Sequence, residues 1–245
     1  PPPGAASTPG ARTPTRSRAT SRTTSGTSLT KTRTEGPSGL VIVDKGPGVT
    51  SHDVVARVRR LAGTRKVGHA GTLDPMATGL LPVFFGTATK ACDILPIGDK
   101  RYLAQFTLGV TSDTEDIWGT CEKTGAALPD RKAVEAVLPR FRGEIMQVPP
   151  MYSALSIGGQ KLYDLARKGI VVERTPRPIT IHELTLIDYD EKSGVGSLDV
   201  SCSKGTYIRT LAADIGAALG TGAVMSSLCR TEAAGFTLTD AVDFD

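Results

Sequence analysis

Apolar positions along the chain fall into short, regular blocks that begin at Leu40. Leu40-Val41-Ile42-Val43 is an unbroken, largely β-branched run that suits a buried strand, and Asp44-Lys45-Gly46-Pro47-Gly48 closes it as a loop. Val54, Val55, Val58 and Leu61 then recur at helical spacing behind Ser51, which reads as the N-cap. Arg57, Arg59 and Arg60 mostly face outward, and Gly63 ends the helix. Residues 64–79 follow neither period and are rich in Gly and Thr. They predict a loop between ordered elements, where binding and catalytic groups tend to sit.

Downstream, Leu80–Phe85 reads as a strand and Thr87–Leu95 as a short helix. Tyr102, Ala104, Phe106 and Leu108 alternate onto one face, predicting a strand over Lys100–Leu108. Asp130 can cap a helix running through Phe141, and Lys161–Lys168 can form another, stopped by Gly169. Ile179–Tyr189 and Gly196–Cys202 read as paired strands around an Asp190–Gly194 turn. Thr206–Leu219 predicts a helix, and the remainder short strand and turn. Hairpins and unequal connections point to an α+β fold, not a regular βαβ repeat. There is no internal repeat.

Composition changes this picture mainly at the N-terminus. The 245 residues are 39% hydrophobic, enough for one substantial core, and no apolar run approaches the ~20 residues that span a bilayer. Residues 1–38 hold 16 serines and threonines and six basic residues against one acid, Glu35. They carry +5 of a net +4, so residues 39–245 carry −1. A polyanion bound by the folded part must therefore meet a local basic patch. The first 38 residues bury too little surface to order themselves and read as disordered. Their Arg-rich, acid-poor composition fits an organellar transit peptide, in a plastid or mitochondrion; the alternative is a basic tail on a bacterial cytoplasmic protein. Cys92, Cys121, Cys202 and Cys229 are scattered without a CxxC pair, which implies reduced structural thiols. With only three histidines, no metal centre is expected.

The chemistry concentrates in Gly68-His69-Ala70-Gly71-Thr72-Leu73-Asp74-Pro75-Met76-Ala77-Thr78-Gly79. Taken alone, Asp74-Pro75 is a turn former. Gly68 and Gly71, however, allow close backbone approach to a ligand, and Pro75 fixes the chain directly after the carboxylate. A stiff loop carrying one His and one Asp also suits a hydrolase or a metal site, but no further His/Cys cluster completes a ligand set.

The whole string closely resembles the motif of the TruB family of tRNA pseudouridine synthases, which act on the uridine at position 55 of the T-loop. The resemblance runs from Leu40 to about Asp245. It takes in Val43-Asp44-Lys45 with Gly48-Val49-Thr50-Ser51, Asp99-Lys100-Arg101-Tyr102 with Leu108-Gly109, and Pro150-Met151-Tyr152-Ser153-Ala154-Leu155. It continues through Arg177-Pro178-Ile179 and Cys202-Ser203-Lys204-Gly205-Thr206-Tyr207-Ile208-Arg209-Thr210. It implies a pseudouridine-synthase catalytic domain over residues 39–245, with a mixed, largely antiparallel sheet and a thumb-like insertion around 150–175 that grips the T-arm. The implied reaction breaks the N-glycosidic bond, turns the base and rejoins it to ribose through C5, so no cofactor is expected. The implied partner is tRNA, without a membrane or obligate protein partner, and the implied state is a monomer.

By the same resemblance Asp74 is the essential carboxylate, attacking C1′ or removing the C2′ proton, with Arg209 as the cation that holds its charge. Tyr102 packs on the target uracil and helps move the C5 proton; a core aromatic on an alternating strand is its other reading, and the two can be shared. Tyr207 and Leu228 line the uracil pocket, although Leu228 also suits a plain core position. His69 stacks within the T-loop and helps displace the target base. Backbone contacts are expected from Lys45, Arg65 and Lys66 near the loop, and from Lys161, Arg167 and Lys168 in the insertion.

Three departures from the family pattern stand out. Gly46-Pro47 replaces a proline directly after the lysine, Val224 stands where a histidine commonly follows Gly-Ala, and Cys229 replaces the first arginine of Leu-Arg-Arg. The sequence also stops before the PUA-type RNA-binding domain that many members carry at the C-terminus, as expected either of a fragment or of a member that binds tRNA with its catalytic domain alone. Two further readings compete with an active tRNA isomerase. One is an RNA-binding or tRNA-folding protein; the other is a guide-dependent synthase of the H/ACA type.

Overall fold

A computed structural model describes residues 36–93 and 98–244. The predicted disordered segment 1–38 lies outside the described residues except for its last three, as do Ile94 and Leu95 of the predicted Thr87–Leu95 helix. The architecture is α+β, built on a ten-stranded sheet.

β1 (Gly39–Lys45) leads into α1 (Ser51–Leu61), followed by β2 (Val67–His69) and β3 (Thr78–Phe85). The helix is capped one residue earlier than expected. Thr50 accepts from the Asp53 amide while the Asp53 carboxylate accepts from the Thr50 amide, a reciprocal capping box. Val54, Val55 and Val58 are buried, but Leu61, expected on the same face, is 79% exposed because the helix ends there. The predicted loop 64–79 also contains β2, which pairs antiparallel with β3.

A 3₁₀ segment (Gly86–Asp93) precedes β4 (Lys100–Leu108), where Tyr102, Ala104, Phe106 and Leu108 are buried as their alternation predicts. The short hairpin β5 (Val110–Ser112) and β6 (Cys121–Lys123) follows. Asp130 does cap α2 (Arg131–Val137), which tightens into 3₁₀ over Leu138–Phe141 and leads into β7 (Gly143–Gln147). The stretch expected as an insertion holds β8 (Ser156–Ile157), β9 (Gln160–Lys161) and α3 (Leu162–Ala166), around a small apolar cluster of Met151, Leu162 and Leu165. β10 (Arg177–Asp190) and β11 (Val195–Cys202) form the expected antiparallel pair, and α4 (Ile208–Ala218) follows.

The last part of the chain departs most from expectation. In place of short strand and turn it forms the eleven-residue β12 (Ala223–Ala233), then β13 (Phe236–Thr237) and β14 (Val242–Asp243). β12 occupies the middle of the sheet, whose order is β14-β1-β3-β12-β4-β11-β10-β7. It pairs parallel with the start of β3 and antiparallel with all of β4, so it joins two halves of the sheet. The main core lies against this sheet and includes Phe106, Leu198, Leu211, Ile215 and Met225.

Candidate active site

The β2–β3 connection is short of regular structure yet held at every turn. Its apolar residues Leu73, Met76 and Ala77 are buried, which roots it in the core and leaves Asp74 between them half-exposed. Ser51 is buried beneath it, where its hydroxyl accepts from the Leu73 amide (2.9 Å) and lies 3.0 Å from the Leu73 carbonyl. The Gly48 amide donates to the Pro75 carbonyl (2.9 Å), and Ala70 donates to Pro82 (3.0 Å).

Lys45 completes this support and corrects an expectation. It is fully buried, and its Nζ donates to the carbonyls of Val49 (2.6 Å), Gly46 (2.9 Å) and Pro75 (3.3 Å). Burial lowers its pKa to about 8, against the opposing pull of Asp74, which raises it. An ammonium enclosed by three carbonyls offers nothing to an RNA phosphate; it ties the first loop to the Asp74 loop.

Arg209 reaches Asp74 from the first turn of α4. Its Nε lies 2.9 Å from Asp74 Oδ2, and its side chain is 5% exposed against 38% for Asp74. Nη1 donates to the Thr114 carbonyl (2.8 Å) and Nη2 to the Tyr152 carbonyl (2.8 Å), so the guanidinium is fixed from the β5–β6 hairpin and from the insertion. A second carboxylate, Asp116, stands behind it at 3.7 Å and is itself anchored by Thr114 Oγ1 (2.7 Å) and the Trp118 amide (2.9 Å). The one buried cation therefore has two carboxylates beside it, so it is not left unpaired in the interior.

Asp74, Arg209, Tyr102, Tyr207, His69 and Leu228 all line one cleft of about 740 Å³. Burial raises the Tyr102 phenol, with Arg230 pulling it back down, and burial likewise raises Tyr207. His69 is held neutral by burial and by the positive charge of Arg230. The other proposed cations lie elsewhere: Arg65, Lys66, Lys161, Arg167 and Lys168 are exposed and none lines the cleft. Lys161 and Arg167 each stand 5.6 Å from the Tyr163 ring, which groups them on the insertion.

Sequence reasoning missed Lys100, Lys204 and Arg230, which supply the cleft's remaining positive charge, as well as Asp116. Lys100 and Lys204 lie inside the motif blocks quoted above, and Arg230 is the retained second arginine of the Leu-Arg-Arg pattern, so a signal was present for all three; Asp116 had none beyond a charged residue in an irregular stretch. Among the described residues no three His, Cys, Asp or Glu side chains gather as a metal-binding group, and no helix is long and apolar enough to cross a membrane.

The chain matches the TruB family pseudouridylate synthase N-terminal domain over residues 59–208 and the tRNA pseudouridylate synthase B C-terminal domain over residues 209–245. It is 50% identical to tRNA pseudouridine synthase B of Azoarcus sp. (strain BH72) over 207 residues, covering 84% of this chain and 68% of that protein. The protein of the same name from Moorella thermoacetica is 49% identical over 206 residues, covering 83% of this chain and 68% of its own length. Among solved structures, a chain in a Cbf5-Nop10-Gar1 complex superposes with a TM-score of 0.61 at 32% identity, covering 80% of this chain. The present chain spans about half of that one, 48%. A chain of an H/ACA RNP bound to a substrate RNA containing 2′-deoxyuridine gives 0.62 at 28% identity, over 84% of this chain and 50% of its own. With both halves of its fold matched, and with relatives at about half identity along its folded length, this chain belongs to the TruB family of pseudouridylate synthases.

Proposed function

We propose that this chain isomerises uridine to pseudouridine at position 55 of the tRNA T-loop, with Asp74 as the essential carboxylate. The observation that carries this reading is the Asp74–Arg209 pair, 2.9 Å apart in a cleft large enough for a flipped nucleoside. The cation keeps a carboxylate charged where water is displaced, which either role at the ribose requires. Asp74 attacks C1′ or takes the C2′ proton, and a deuterium isotope effect at C2′ is expected only for proton removal. The C1′–N1 bond breaks, the C1′–C5 bond forms, C5 loses its proton and N1 ends protonated, so neither a redox partner nor a group donor is consumed.

Tyr102 stacks on the displaced uracil and passes on the C5 proton, while Tyr207 and Leu228 close the pocket around the base. His69, planar and neutral, fills space in the T-loop left by the extruded nucleotide. Extrusion costs about a few kcal/mol, offset by these contacts. Residues 150–175 act as a thumb on the T-arm, with Lys161, Arg167 and Lys168 on phosphates and Arg65 and Lys66 as a second patch. The enzyme works as a monomer on free tRNA. Residues 1–38 direct it to a plastid or mitochondrion, the alternative being a bacterial cytoplasmic enzyme with a basic tail; a mature protein retaining the whole segment would count against targeting.

Release of tritium from C5 of uridine-labelled tRNA by the purified chain tests the activity. Asp74→Asn is expected to abolish release, by a factor of about 10⁴ or more, while tRNA binding stays within about threefold. Full turnover by that variant would remove Asp74 from its role, and binding without turnover by the wild type would favour an RNA-binding protein.

A further inference from the structure

Arg230 is the largest fully buried side chain among the described residues, and the mechanism above gives it no task. Its Nε donates to the Leu80 carbonyl (2.7 Å) and its Nη2 to the Gly71 carbonyl (3.0 Å). Those two carbonyls flank the segment that carries Asp74, one near its start and one just beyond its end. A single planar guanidinium therefore sets the span of the loop, which a point-like ammonium cannot do.

Its third nitrogen, Nη1, is buried and has no hydrogen-bond partner. An orphaned donor on a buried cation is costly and calls for a reason. Two neighbours supply one. Arg230 pairs directly with Tyr102 across β12 and β4, and both side chains line the cleft. Gly71 leaves room for the group: a Cβ there would stand 3.4 Å from Nη1 and 3.1 Å from Lys100 Cε. The guanidinium is thus anchored through two of its nitrogens, while the third, Nη1, stays buried and unpartnered on a residue that shares the cleft wall with Tyr102.

We propose that Arg230 is a positioning residue that fixes the Asp74 loop against the Tyr102 strand and keeps Nη1 for the Tyr102 oxygen as charge develops there during turnover. This rests on the isomerase reading above, with Tyr102 in contact with the uracil. No proton leaves Arg230; it stabilises charge and geometry while Tyr102 handles the C5 proton.

The test is single-turnover tritium release by the full chain carrying Arg230→Lys or Arg230→Gln, each alone and combined with Tyr102→Phe. Arg230→Lys keeps the buried charge and most of the volume, so it tests the forked geometry with the least risk to folding. The expected result is a fall in the rate of at least about 30-fold with tRNA affinity within about threefold, in keeping with loss of one preorganised donor. In the Tyr102→Phe background the same substitution should cost at least about tenfold less, because the two residues act as a unit. A rate within threefold of wild type, or effects that multiply independently, would overturn the proposal. If both Arg230 variants fail to fold, Tyr102→Phe alone serves as the second measurement, because it removes the oxygen that Nη1 is held to serve; a rate within threefold of wild type in that variant would also overturn the proposal. A wild-type chain that binds tRNA but releases no tritium refutes the isomerase reading instead, so the two failures are distinct.

Discussion

Gln147 and Tyr207 exchange two hydrogen bonds: the Gln147 amide nitrogen donates to the Tyr207 carbonyl (3.0 Å), and the Tyr207 amide donates to Gln147 Oε1 (2.9 Å). Tyr207 is the N-cap residue of α4, and no side chain caps that helix in the usual way. The last residue of β7 thereby sets the entry of the chain into the helix that presents Arg209 two residues later. Gln147→Leu should leave two backbone groups unpaired in a buried place and cost about 2–4 kcal/mol in urea denaturation. It should also slow tritium release more than it weakens tRNA binding, because Arg209 loses its footing. Unchanged stability would show that water replaces the amide without penalty.

Lys45 predicts a dependence of stability on pH. Its folded pKa, about 8, lies below the ordinary lysine value of 10.5, so the unfolded chain binds more protons between those values. Stability must therefore rise as pH climbs from about 8 towards about 10.5, by roughly 1–3 kcal/mol from this residue. Other groups titrate in the same range, so the measurement is the difference between wild type and Lys45→Met at pH 7 and pH 9.5. The wild type should gain on the variant at the higher pH, and a constant difference would contradict the buried ammonium.

Two glycines offer a matched comparison. Gly79 has φ +94°, and a Cβ there would lie 2.3 Å from the Arg230 carbonyl oxygen, where β3 meets β12. Gly125 has φ +72° but open space around it. Gly125→Ala should cost about 1–2 kcal/mol through backbone strain alone, whereas Gly79→Ala should cost about 3 kcal/mol or more and can prevent folding. Equal midpoints in denaturant would mean that the β3–β12 junction yields.

Salt dependence tests the insertion. If Lys161 and Lys168 each neutralise a phosphate, reversing both charges should weaken tRNA binding and reduce the slope of log affinity against log salt by about two. An unchanged slope rejects the contact.

Elements with a clean period were legible from the sequence. β4 alternates without interruption, and α1 carries its valines on one face. β12 escaped because its pairing with β4 shifts register between Met225 and Ser227 and again between Arg230 and Glu232, which breaks the alternation that marks a strand. The Asp74 constellation was legible by resemblance, and its six members do share a cleft. Lys45 was misread because a lysine beside a glycine-rich loop looks solvated; only the fold shows the Val49 and Pro75 carbonyls around it. Asp116 sits in an irregular acidic stretch, and nothing local marks it as the partner of an arginine more than ninety residues away.

The central place of β12 has a consequence for biosynthesis. Asp74 and His69 ride on the half of the sheet that contains β3, Tyr102 on the half that contains β4, and the strand between them is made late. More than a hundred residues separate the end of β4 from the start of β12. At translation rates of about 5–20 residues per second, a nascent chain would carry two unpaired strand edges for on the order of ten seconds. During that interval its two open edges are exposed to edge-to-edge aggregation. Truncated products that end before β12 would leave the seam open, so a cell would gain no partially active fragments from interrupted synthesis.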